Sequence, residues 1–211
     1  MMRWTSCALV ALPLFAACSN PTPQAEPAAS NLVASSSPTL PAQSMVAGRA
    51  PVSGGQPSLV VLEPKTPDGS VQASPPVMDQ VALTFIPGVL IVRTGQPVEF
   101  RNSDDVLHNV RVSEDATKAG TFNVAIPIGE DYRFTFERDG FYNVGCDIHP
   151  GMAATIYSSR SPYAAMTDQG GQFEIHNVAP GGYNAVVYAG ADRVERPIEV
   201  AAGRTELNFT P

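Results

Sequence analysis

Residues 132–152 read Tyr132-Arg133-Phe134-Thr135-Phe136-Glu137-Arg138-Asp139-Gly140-Phe141-Tyr142-Asn143-Val144-Gly145-Cys146-Asp147-Ile148-His149-Pro150-Gly151-Met152. Tyr132, Phe134 and Phe136 alternate with Arg133 and Thr135, the period-two pattern of a strand with one buried face. A second strand runs from Gly140 to Cys146. The loop after it spaces a thiolate, an imidazole and a thioether three residues apart, at Cys146, His149 and Met152.

Working outward, Leu90, Val92, Val98 and Phe100 alternate with polar or small residues in Val89–Asn102, two strands joined by a turn. His108-Asn109-Val110 follows shortly after. The 211 residues include 20 Pro and 17 Gly, and turn signals recur at short intervals. This argues for an all-β sandwich and against long helices. Formal charge is -7 and the pI about 4.9. Without clustered cations such a chain is not a nucleic-acid binder. Nothing in the body is apolar over the 18 or more residues that a spanning helix needs.

Cysteine and histidine counts narrow the chemistry. Cys7 and Cys18 fall at the N-terminus, so Cys146 is alone in the body and has no intramolecular disulfide partner. A soft thiolate with a soft thioether favours copper, and a blue-copper site takes two His, one Cys and a weak axial ligand, usually Met. The histidines are His108, His149 and His176. His176, in Phe173-Glu174-Ile175-His176-Asn177, has no soft partner nearby and is read as a strand-end or surface residue. One loop cysteine rules out a binuclear copper centre, and the lack of His-x-His pairs rules out an oxygen-reducing cluster. Zinc accepts Cys and His, but the Met-ended loop argues for copper. No hydrolase signature stands out. Asp104/Asp105 and Glu114/Asp115 are read as solvated loop charges.

Together, Val89–Asn102, His108-Asn109-Val110 and Tyr132–Met152 make residues 77–157 resemble a cupredoxin. The short Cys-x-x-His-x-x-Met loop is similar to that of amicyanin. The resemblance implies a Greek-key β-sandwich and a plastocyanin/amicyanin-like electron carrier, not an enzyme, with one type 1 copper. It implies that Cys146, His108 and His149 are the strong ligands and Met152 the axial one. Asn109 matches the position that ties the two ligand-bearing loops together, and the exposed edge of His149 would be the electron exit. Redox donor and acceptor proteins are expected partners. The alternative reading is a copper storage or delivery protein without a redox partner.

The ends of the chain carry other signals. Arg3, the apolar run Ala8–Ala17 and then Cys18 resemble a bacterial lipoprotein signal over residues 1–17, with Cys18 as the lipidated residue; ordinary cleavage after a small residue is the other reading. Either exports the chain, and the lipid reading places it in the periplasm with membrane contact through the anchor only. Residues 18–45 are Pro/Ala/Ser-rich and nearly uncharged, a composition expected of a disordered tether. Residues 158–211 parse as strands separated by turns at Asp168-Gln169-Gly170-Gly171 and Pro180-Gly181-Gly182. They resemble a carboxypeptidase regulatory-like module, a smaller β-sandwich. Residues 46–62 resemble its opening strands, so the cupredoxin is expected to be inserted into that module; two domains in simple tandem with a loose N-terminal arm is the other reading.

Overall fold

The structure, a computed structural model, describes residues 44–66 and 74–209. The export signal read at residues 1–17, Cys18 and all but the end of the stretch 18–45 lie outside the described residues. The chain opens with β1 (Ser44–Arg49) and β2 (Leu59–Pro64). Nine strands follow: β3 (Val77–Val81), β4 (Thr84–Ile86), β5 (Val89–Arg93), β6 (Pro97–Asn102), β7 (His108–Glu114), β8 (Gly120–Ile126), β9 (Asp131–Thr135), β10 (Gly140–Gly145) and β11 (Ala153–Ser159). Last come β12 (Ala164–Met166), β13 (Gln172–Val178), β14 (Gly181–Ala189), β15 (Asp192–Val200) and β16 (Arg204–Asn208).

These strands form two sandwiches. One has sheets ordered β5-β11-β10-β7-β8 and β4-β3-β6-β9; the other has β13-β1-β16 and β12-β2-β14-β15. The alternation read in the sequence sets the first core: Val92, Val98, Phe100, Val110, Val112 and Phe136 all point inward and are buried. Phe85, Phe100 and Phe136 are its largest fully buried side chains, each worth about 1.5–3 kcal/mol relative to exposure. The strands either side of the Thr94–Gln96 turn do not pair with each other. β5 lies parallel to β11 and β6 antiparallel to β9, so the turn crosses between sheets.

In the second sandwich β1 pairs antiparallel with β13 and parallel with β16, while β2 pairs with β12 and β14. Leu59-Val60-Val61-Leu62 is apolar without alternation because β2 is covered on both faces. Val60 and Leu62 enter the core with Phe173, Ile175 and Tyr183. Leu59 and Val61 pack instead on Tyr157 of β11, with Phe141 and Tyr188 beside it. Phe141 stands 4.7 Å from Tyr157 and 5.1 Å, edge-on, from Tyr188, a geometry aromatic rings favour. The two sandwiches are thereby joined along one apolar seam.

The topology also sets where chemistry can occur. β7 starts at His108, β10 ends at Gly145, and the two are antiparallel neighbours with Gly145 opposite Arg111. β11 begins at Ala153 opposite Gly145. His108 and the loop Cys146–Met152 therefore meet at one end of the sandwich.

Candidate metal centre

Each donor is delivered by a defined piece of backbone. Asn102 ends β6, is fully buried, and donates from its side-chain amide to the carbonyls of Val106 and Ile126, both at 2.9 Å. Its Oδ1 accepts the Asp104 N–H at 3.0 Å. These bonds shape the loop that brings His108 into the interior, where its side chain is 0% exposed. On the other side, the Cys146 N–H donates to Met152 O, and the Met152 N–H to His149 O, each at 3.3 Å. Gly151 has φ +103°, a conformation that a side chain resists. The loop is thus folded back on itself, and it presents Cys146 and Met152 to the core while leaving His149 half-buried.

The donor atoms of His108, Cys146 and His149 lie within 4.8 Å of one another. Cys146 Sγ is 3.9 Å from His108 Nδ1 and 3.9 Å from His149 Nδ1, and the two Nδ1 atoms are 3.0 Å apart. Bonds of about 2.0 Å to nitrogen and about 2.3 Å to sulfur, as in zinc sites, put nitrogen and sulfur ~3.7 Å apart around a trigonal metal and the nitrogens ~3.5 Å apart. The three donors therefore need to shift by only a few tenths of an ångström to share one ion. Two imidazole lone pairs and a sulfur turned toward a common point are a set that a soft, borderline cation fits.

The imidazole orientation is fixed from outside. Asp104 Oδ2 lies 2.8 Å from His108 Nε2; accepting the proton there leaves Nδ1 as the inward lone pair, the usual arrangement for a metal-binding histidine. The same carboxylate accepts the backbone N–H groups of Ala82 at 2.6 Å and Leu83 at 2.9 Å. The Leu83 N–H first, and His108 next, hold its carboxyl below the usual aspartate range. Asp104 is not the solvated charge that sequence suggested: its side chain is 13% exposed. Nothing in the period of the sequence marks it, because the Asp104–His108 contact is made by a loop. Glu114, 16% exposed, accepts from Thr117 and faces Arg138; Asp115 pairs with Lys118 at the surface.

Asn109 does tie the two loops together. Its Oδ1 accepts from the Asp147 N–H at 2.7 Å and the Ile148 N–H at 3.3 Å, and lies 3.3 Å from the Cys146 thiol. Met152 is buried in the same core cluster as Cys146. His176 sits on β13 with a 62% exposed side chain facing Glu174. Among the described residues, His108, Cys146 and His149 are the one group of three or more His, Cys, Asp or Glu side chains able to share an ion.

Known proteins resemble the chain over two stretches. The model of the copper binding proteins of the plastocyanin/azurin family matches residues 74–158, and that of polysaccharide lyase family 4, domain II, matches residues 148–207, which run from the metal loop through β11 of the first sandwich and β12–β15 into β16 of the second. Plastocyanin from Rumex obtusifolius is 32% identical over 82 residues, covering 35% of this chain and 83% of the plastocyanin. Plastocyanin from Ulva arasakii is 34% identical over 80 residues, covering 35% and 82%. The crystal structure of amicyanin from Paracoccus versutus aligns at 18% identity with a TM-score of 0.38, over 52% of this chain and 96% of amicyanin. Proteins of the first family carry one type 1 copper, and the His108, Cys146 and His149 cluster can hold it. Through residues 74–158 the chain belongs to the plastocyanin/azurin family of copper-binding proteins.

Proposed function

We propose that the protein carries single electrons between redox proteins outside the cytoplasm, holding one type 1 copper through His108, Cys146 and His149 with Met152 as the weak axial ligand. The observation that carries this reading is the convergence of Sγ and two Nδ1 atoms at one end of a rigid sandwich. Copper bound there supplies a one-electron couple. The protein's part is to keep the donors in place through both oxidation states, which the Asn102, Asp104 and Asn109 bonds favour. His108 is fully buried and His149 half-buried, so the His149 ring edge is the short way out for an electron. Pro150, Gly151 and exposed Ile148 around it offer a mostly uncharged contact face.

The same proposal assigns Cys18 as a lipidated residue that tethers the protein at the periplasmic face of a membrane through residues 18–45. It also assigns residues 77–157 as a cupredoxin inserted into a second module, resembling the carboxypeptidase regulatory-like type and built from residues 46–62 and 158–211. Support for the insertion is the pairing of β1 and β2 with strands that follow residue 158.

The test is electron exchange against metal release. A carrier is reduced and reoxidised by a soluble mediator many times without losing copper to a copper(I) chelator. Rapid transfer of copper(I) to the chelator on first reduction contradicts the carrier reading and favours delivery. Incorporation of labelled fatty acid that is abolished in Cys18→Ala tests the anchor separately.

A further inference from the structure

A ring of side chains lies outside the ligand set on β7, β8 and the metal loop. Arg111, in the middle of β7, stands opposite Asn123 of β8 on one side and opposite Gly145 of β10 on the other. Asp147 follows Cys146 directly. Arg111 Nε donates to Asp147 Oδ1 at 2.7 Å. Asn123 Nδ2 donates to Asp147 Oδ2 at 2.9 Å, and Asn109 Nδ2 donates to Asn123 Oδ1 at 2.7 Å and to Asp147 Oδ2 at 3.3 Å.

Followed through, these bonds leave one orientation for each amide. Arg111 fixes the carboxylate; the carboxylate and the Asn109 amide together fix which way Asn123 faces. Asn123 and Asp147 then fix the NH2 of Asn109, whose Oδ1 must face Cys146 and the two loop N–H groups. Asn109 is 6% exposed, so while the ring is closed its amide is shielded from water and depends on these partners. Gly145 leaves the room for this arrangement: a Cβ there would come within 3.1 Å of Arg111 Nη2. The guanidinium thus lies over the backbone immediately before Cys146, and the carboxylate lies immediately after it.

We propose that Asp147, with Arg111 and Asn123, forms a positioning unit that locks Asn109 and through it the copper loop, and that its two opposite charges flanking Cys146 balance each other's effect on the reduction potential. This rests on His108, Cys146 and His149 being the copper ligands. A cation near the centre opposes the more positive oxidised metal and raises the potential; an anion lowers it. With the pair intact the two effects largely cancel. Arg111 and Asp147 are each about half exposed, so the residual field is screened by salt.

The experiment is voltammetry of Arg111→Gln, Asp147→Asn and the double variant, with proton NMR of the copper-free protein. Arg111→Gln lowers the potential, Asp147→Asn raises it, the double variant returns toward the original value, and both single shifts shrink at high salt. Asp147→Ala weakens copper binding about tenfold or more, as loss of an outer hydrogen-bonding partner does. In the copper-free protein the Asn109 NH2 protons exchange slowly, and faster in Asp147→Ala. Shifts of the same sign in both single variants, or none, overturn the charge balance. Unchanged Asn109 exchange in Asp147→Ala overturns the positioning role. Absence of any thiolate-to-copper band in the unaltered protein overturns the copper assignment instead, and the exchange measurement on the copper-free protein still decides the ring.

Discussion

Replacing Asp104 with Ala tests how far the metal centre depends on a residue that never touches the metal. The substitution removes the acceptor of three donors: the Ala82 and Leu83 N–H groups and His108 Nε2. The backbone donors are in an exposed turn and can be taken over by water. The imidazole is fully buried and has no such substitute. A buried donor left unpaired costs about 1–3 kcal/mol, equivalent to about 5- to 150-fold in an equilibrium constant. Loss of an outer partner of a metal-binding histidine typically weakens the metal by about 10–100-fold, so the two routes agree. Asp104→Asn is the informative companion. Its Oδ can accept from His108, but the NH2 then meets the Ala82 N–H donor to donor, so it should recover only part of the loss. Copper affinity is read by competition with a chelator of known strength, and stability by denaturant unfolding of the copper-free protein. Copper affinity in Asp104→Ala within twofold of the original would refute the claim that Asp104 orients His108.

Other outcomes follow from the same structure. Met152→Gln should keep one bound copper but lower the reduction potential, since a harder oxygen favours the oxidised ion, whereas His108→Ala should weaken copper binding outright; an unchanged potential in Met152→Gln would mean the thioether is not axial. Leu59→Ala, in the seam between the sandwiches and 3% exposed, should cost about 2–5 kcal/mol and lower the unfolding midpoint of both sandwiches together; separate transitions would contradict a shared seam. Glu99 accepts from Arg101 at 2.6 Å and Arg133 at 2.9 Å, and these bonds, Arg101 first, hold its carboxyl below the usual glutamate range. A lowered folded pKa means stability that is present above the unfolded value and lost as pH falls through the folded one. Because both arginines are about half exposed or more, its worth is about 1 kcal/mol or less. The advantage of the original protein over Glu99→Gln should therefore shrink below about pH 4.3 in denaturant titrations.

Much of the first sandwich was legible because burial there follows chain period. Val98 and Phe100 are buried as their alternation suggests, with Pro97 and Arg101 exposed, while Glu99 departs from the period because Arg101 and Arg133 cover it. The loop Cys146–Met152 was legible because three of its donors are close in sequence. Pairing was not legible: alternation is the same whether β5 meets β6 or β11. Nor was the double burial of β2, since Leu59-Val60-Val61-Leu62 is equally apolar in a strand covered on one side by its own core and on the other by Tyr157. The roles of Asp104, Arg111, Asn123 and Asp147 were not legible for a further reason. Each acts through a hydrogen bond to a residue brought near by the fold, and polar residues in loops and on exposed strand faces carry no periodic mark.

Copper titration of the apoprotein followed by visible absorption, alongside Cys146→Ser, tests the central claim most directly. The account predicts an intense thiolate-to-copper band that saturates at one equivalent of copper(II) and is lost in Cys146→Ser. A band that persists in Cys146→Ser, or copper bound by the original protein without any such band, would contradict it.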